Sequence, residues 1–189
     1  SIYRIIIFDQ RGSGRSLPYL ALKENTTNDL LEDIDTIRDF LGIDRMILSG
    51  GGWGSLLSLL YAQSFPQQVC GLLLHRIFLG RQQDIHWFYQ QGANLVYPDY
   101  WQEFTQHIPE EELNSIPEYY QKVLASPNEL GRMSAAKNWA LWLARCSSLQ
   151  PHQNVLDHYS DLHFALALAT IESHYVSHQY FIEENTVLL

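Results

Sequence analysis

The chain has 189 residues, 46% hydrophobic and 13% aromatic, with five Trp and eleven Tyr. That much apolar surface suffices for one domain, or one and part of a second, and argues against a disordered chain. A formal net charge of -9 and a pI near 5.2 argue against nucleic acid or anionic membrane as a partner, since no basic stripe is present to hold phosphates.

No run approaches the roughly 18 to 20 apolar residues that a membrane span needs, and no signal peptide is recognisable, so a cytoplasmic protein is expected. Cys70 and Cys146 lie far apart in apolar company and read as buried thiols, not as a disulfide scaffold. The first residue is Ser, the second opens an apolar run, and the sequence stops on Thr186-Val187-Leu188-Leu189. The chain therefore reads as an internal piece of a longer protein.

In chain order, Ile2 to Phe8 is a near-continuous apolar run with β-branched residues, the pattern of a strand buried on both faces. A polar loop from Asp9 to Ser16 follows, its turn stabilised by Arg11 pairing with Asp9 and by backbone hydrogen bonds. A helix is expected from Thr26 or Thr27, with Leu30, Leu31, Ile34, Ile37, Phe40 and Leu41 as its apolar stripe and Gly42 as its left-handed end. Arg45 to Leu48 gives a second strand, a helix halted by Pro66 comes next, and Val69 to Phe78 gives a third strand. Strands alternating with helices predict a parallel α/β sheet with right-handed crossovers. After Gly80 the sequence turns aromatic and helical: Asp84 to Gln91, Asp99 to His107, Glu110 to Ala125, Asn128 to Cys146 and Asp161 to His178. The expected division is residues 1–80 as a partial sheet core and 81–189 as an all-helical cap.

Between the second strand and its helix stands Gly50-Gly51-Gly52-Trp53-Gly54. Gly50-x-Gly52-x-Gly54 has the frame of the nucleophile elbow, in which a middle serine is lifted above the sheet on a strained strand-to-helix turn. Here the middle residue is glycine. Glycine also suits such a turn simply because it tolerates backbone angles that strain other residues. Ser49 and Ser55 do not substitute for the missing nucleophile, since one belongs to the strand and the other to the helix. Phosphate cradling is disfavoured, because the third glycine of the dinucleotide fingerprint and the Gly-Lys-Ser/Thr of a P-loop are both missing.

With these residues in view, the chain resembles the prolyl aminopeptidases (proline iminopeptidases) of the α/β-hydrolase superfamily. The resemblance rests on Phe8-Asp9-Gln10-Arg11-Gly12-x-Gly14-x-Ser16, Asn25-Thr26-Thr27-x-Asp29-Leu30 and Gly50-Gly51-x-Trp53-Gly54-Ser55. It continues through Ile77-Phe78-Leu79, Trp87-Phe88-Tyr89-Gln90-x-Gly92-Ala93, Ala135-Ala136-Lys137-x-Trp139 and Ile171-Glu172-x-His174-Tyr175. It implies an α/β-hydrolase core followed by a helical cap, and hydrolysis of an N-terminal proline from a peptide by a Ser-His-Asp triad without metal or cofactor. In such a site the residue after the nucleophile lends its backbone amide to the oxyanion, a role that falls to Trp53. Glu172 is implied as one carboxylate on the substrate's ammonium, and Phe78, Phe88 and Tyr89 as lining of the proline pocket.

Four departures from that pattern stand out. Gly52 holds the nucleophile position. The His-Gly-Gly-Pro-Gly oxyanion loop is absent, as are the aspartate and histidine that the family carries beyond the cap. Where the family has a glutamate after the second tryptophan of a Trp-x-x-Trp element, this chain reads Trp139-Ala140-Leu141-Trp142-Leu143. The expectation is an inactive chain; the alternative is a non-catalytic relative or decayed copy that binds peptide N-termini, or binds nothing. His174 and His178 share a helical face, but the His-Glu-x-x-His order is lacking and no metal site is expected.

Overall fold

A computed structural model describes residues 3–188. They fall into two compact units: the described residues of Ser1–Asn25 with Glu118–His174, and Thr26–Pro117 with the described residues of Tyr175–Leu189.

The second of these units carries the sheet. Helix α1 (Thr27–Phe40) begins in a capping box, where the Thr26 side chain accepts from the Asp29 amide and the Asp29 carboxylate accepts from the Thr26 amide. It closes in a Schellman turn: Gly42 at φ +65° lets its amide reach the Asp39 carbonyl at 2.9 Å and the Ile43 amide reach that of Arg38 at 3.1 Å. Leu30 and Leu31 are buried, but Phe40 is 86% exposed, so the apolar stripe reaches the core only at its N-terminal end.

Strand β1 (Met46–Gly52) runs on through the glycines expected to form the turn, and helix α2 (Trp53–Ser64) starts with no intervening loop. Phe65 and a 3-10 turn over Pro66–Gln68 lead into strand β2 (Val69–Ile77). The two strands pair in parallel, and Leu48 and Gly50 face α2 together with their partners Leu72 and Leu74. The other face is open: Ile47, Leu73 and Ile77 are 46%, 64% and 59% exposed. Cys70 is the extra residue at a register shift in β2 and is exposed, contrary to its reading as a buried thiol. Beyond Ile77 the described residues of this unit form helices and turns, including α3 (Gln82–Tyr89), α4 (Ala93–Val96) and α5 (Pro98–Thr105).

Residues 3–8 of the first unit form no strand; Ile2 lies outside the described residues. Tyr3, Ile5 and Ile7 are 69%, 77% and 88% exposed. The sheet among the described residues is therefore two-stranded, not three-stranded. The reason is physical: an apolar run becomes a strand only when a neighbour pairs its amides and carbonyls, which hydrophobicity alone does not specify. The following loop is held by local bonds, with Ser16 Oγ donating to the Asp9 carbonyl at 2.7 Å and the Arg15 amide to Asp9 Oδ2 at 3.1 Å, so that Arg15, not the expected Arg11, is the arginine shown on the Asp9 carboxylate. The Arg11 guanidinium donates to the Glu24 carbonyl, and Asn25, fully buried, ties the Arg11 and Ala21 carbonyls together.

The rest of that unit is helical. Helix α6 (Ile116–Leu124) enters it, and α7 (Glu129–Cys146) and α8 (Gln153–Tyr159) pack on each other. Helix α9 (Leu162–Ser177) leads out of it. Trp139, Ala136 and Ala140 of α7 are fully buried, with Tyr120 of α6 edge-on to the Trp139 ring at 5.2 Å. Small alanines at these positions allow close helix approach while the indole supplies the buried area.

Candidate active site

The elbow is assembled by backbone geometry. Gly52, the last residue of β1, sits at φ +57°, ψ -122°, immediately before the first residue of α2. That left-handed φ strains any residue with a side chain. A Cβ added at Gly52 meets nothing within 4 Å, so the position opens into free space. Gly50 is the opposite case: a Cβ there runs into the Gly54 carbonyl, because strand and helix cross with no room for a side chain. The strand-to-helix turn thus has a tight Gly50 and an open Gly52.

Two hydrogen bonds hold the turn. Ser55 Oγ donates to the Gly52 carbonyl at 2.7 Å and accepts from the Phe78 amide at 3.0 Å. Ser55 is fully buried and its single hydroxyl proton is committed, so it is no substitute nucleophile. Ser49 lies within β1 and is exposed. The partner strand adjusts to the elbow: register runs Gly51 to His75 and then Gly52 to Ile77, leaving Arg76 as an extra residue at φ +50°.

The Trp53 ring stacks obliquely on Tyr175 at 4.9 Å and Tyr180 at 5.2 Å, and Phe78 meets Tyr180 edge-on at 5.0 Å. Tyr180 thereby brings Trp53 and Phe78 together. Phe88 and Tyr89 form their own edge-to-face pair on α3 at 5.0 Å, with Tyr89 only 2% exposed. Sequence reading missed Tyr180. It stands in a turn where Gln179, Tyr180 and Phe181 all take left-handed φ values of 51°, 55° and 54°, and its carbonyl accepts from Thr27 Oγ1. No glycine or asparagine marks that turn, so no local signal announces it.

Glu172 belongs to the other unit. It is on α9, half-buried, and Oε2 accepts from Trp139 Nε1 at 3.3 Å. Leu143 is one residue beyond Trp142 on α7 and is half-buried. In the same unit His174 Nε2 stands 3.3 Å from the Asn25 carbonyl, while in the sheet unit His178 stacks on Phe181 at 4.9 Å. Among the described residues no group of three His, Cys, Asp or Glu is placed to hold a metal ion. Nor is any helix among them long and apolar enough to cross a membrane.

A sequence profile described as alpha/beta hydrolase fold matches residues 1–188. The chain belongs to the alpha/beta hydrolase fold family. Within the family it is similar to proteins named as proline iminopeptidases. It is 43% identical over 189 residues to a probable proline iminopeptidase of Leptolyngbya boryana, covering 100% of this chain and 59% of the relative. It is 43% identical over 187 residues to the proline iminopeptidase of Xylella fastidiosa strain Temecula1, covering 99% and 60%. A third, from Arabidopsis thaliana, is 43% identical over 188 residues, covering 99% and 50%. The chain thus spans between half and three fifths of the length of these relatives. Its two-stranded parallel sheet with flanking helices is consistent with part of a core of that fold.

Proposed function

We propose that this chain is of prolyl aminopeptidase type and that, with glycine at position 52, it does not hydrolyse peptides. The observation that carries the reading is Gly52 itself: it holds the strained elbow backbone, with open space where a nucleophile's side chain would stand. The likeness to named proline iminopeptidases over the whole chain supports the substrate class, a peptide with N-terminal proline.

In this reading residues 1–80 are part of the hydrolase core and 81–189 the helical cap, the site needs no cofactor or metal, and the protein works in the cytoplasm. Trp53 offers its backbone amide to the oxyanion. It is the first residue of α2, and first-turn amides point out of a helix's positive end. Phe78, Phe88 and Tyr89 line the proline pocket, and Glu172 holds the substrate's ammonium. Glycine has no hydroxyl to attack the scissile carbonyl, so no acyl-enzyme forms. Loss of one triad member in a complete serine hydrolase leaves only about 10³ to 10⁴ over water.

The test is hydrolysis of a proline p-nitroanilide by the full-length protein, with Gly52 and with Gly52→Ser. Turnover with serine and none with glycine is the expected result. Turnover with Gly52 in place overturns the inactivity, and a folded, silent serine variant overturns the peptidase assignment.

A second reading, a non-catalytic relative that binds peptide N-termini, draws on Leu143. A leucine beside Trp142 supplies no charge, leaving the ammonium to Glu172. Under this reading calorimetry detects binding of a Pro-Ala peptide by the Gly52 protein, while Gly52→Ser restores no turnover.

A further inference from the structure

The elbow's own hydrogen bonds point to a role for a residue outside the Gly50-x-Gly52-x-Gly54 frame and outside the triad. Peptide planes are rigid and trans, so the carbonyl of Gly52 and the amide of Trp53 point in opposite directions across one plane. Whatever fixes the carbonyl fixes the aim of the amide. Ser55 Oγ donates to that carbonyl at 2.7 Å, and its own lone pair is held by the Phe78 amide at 3.0 Å. The relay is fully buried at Ser55, where water cannot compete for the bonds. Its far end exists because β2 takes one extra residue, Arg76 in a left-handed conformation, just before Ile77 pairs with Gly52. Such bulges re-aim the residues that follow them.

We propose that Ser55 is a positioning residue for the oxyanion donor: the relay from the Phe78 amide through the Ser55 hydroxyl to the Gly52 carbonyl sets the direction of the Trp53 amide. The proposal rests on Trp53 serving as that donor. A preorganised donor stabilises a developing oxyanion only when its direction is fixed before the charge appears. The arrangement also explains why a buried serine, not alanine, stands in the first turn of α2.

Two readouts in the full-length protein test it. In the chain with Gly52, the amide of Trp53 is followed by its residual dipolar coupling in an aligned medium, against the amides of Leu57 and Leu60 within α2. Ser55→Ala moves the Trp53 coupling away from the value set by the helix frame, leaves the other two in place, and Ser55→Thr, which keeps the hydroxyl, restores it. In the Gly52→Ser background, Ser55→Ala lowers kcat about ten- to a hundredfold with KM within about twofold, and Ser55→Thr recovers most of the loss.

A Trp53 coupling that ignores Ser55→Ala overturns the proposal, and so does an active Gly52→Ser enzyme whose kcat stays within about twofold after that change. If Gly52→Ser is silent, the peptidase reading fails by itself and the coupling alone decides the role of Ser55. Should Ser55→Ala fail to fold, Ser55→Cys replaces it, since a thiol has nearly the same shape and is only a weak donor.

Discussion

The Tyr61 hydroxyl, on a ring with no solvent exposure, donates to Asp35 Oδ1 at 2.7 Å, and so ties α2 to α1. Arg38 Nε donates to the same oxygen at 2.8 Å. The Arg38 hydrogen bond holds the Asp35 carboxyl below its ordinary value, while burial, followed by the bond to Asp35, pushes the Tyr61 phenol up to about 12. The signs are opposite. Asp35 contributes stability above about pH 4 that is lost as pH falls through its lowered value; Tyr61 contributes stability below about pH 10 that is lost as pH rises toward its raised one. Thermal melting followed by circular dichroism is therefore expected to show a plateau falling at both ends. Tyr61→Phe removes the Tyr61 part of the alkaline fall and costs about 1 to 2 kcal/mol on the plateau, measured by urea unfolding.

Three glycines of the elbow are expected to respond differently to a side chain. Gly52→Ser enters open space but keeps a left-handed φ, so it folds with a loss of about 1 to 3 kcal/mol. Gly50→Ala drives a methyl into the Gly54 carbonyl and loses more, because strand or helix must move. Gly54→Ala lies in the first turn of α2 with nothing within 4 Å of the new Cβ, and gains up to about 1 kcal/mol. Denaturant midpoints of the three variants rank them; a Gly50→Ala protein as stable as the parent contradicts the strand-to-helix contact.

The two thiols differ in reach. Cys70 is exposed on β2, whereas burial pushes the Cys146 thiol, at the end of α7, up to about 12. Only the thiolate attacks alkylating agents. Iodoacetamide at pH 8 is expected to label Cys70 and spare Cys146 in the native protein, with both labelled in urea, as read by peptide mass spectrometry.

Charge at the proposed ammonium site is adjustable at one position. In a Gly52→Ser protein that hydrolyses proline p-nitroanilide, Leu143→Glu adds a second carboxylate and lowers KM by about tenfold, the worth of one charged hydrogen bond. Glu172→Gln raises KM in the same background. An unchanged KM in both variants removes these positions from the substrate site.

Much of the fold was legible because its signals are local. The helix start at Thr26 or Thr27 and the Gly42 turn are each written within a few residues, and the structure places both where the sequence does, while β1 runs on to Gly52 through glycines that the sequence assigns to the turn. The expected strand over Ile2–Phe8 differs for the complementary reason: its hydrophobicity describes a strand, but pairing is a property of tertiary structure, and residues 3–8 form no strand.

For the candidate site the division is similar. That Gly52 closes the strand and Trp53 opens the following helix is legible from chain order, since strand and helix are consecutive, and the place proposed for Gly52 in the elbow is read from the same few residues. What surrounds them came only from tertiary structure. Tyr180 reaches Trp53 and Phe78 across more than a hundred residues of sequence, through a left-handed turn of three non-glycine residues that no propensity favours. Ser55 looks in sequence like an ordinary helix residue; it becomes a link between strand and elbow only once the extra residue Arg76 brings the Phe78 amide within 3.0 Å of its hydroxyl. Local backbone angles are encoded by neighbouring residues, whereas hydrogen-bond partners distant in sequence are chosen by packing.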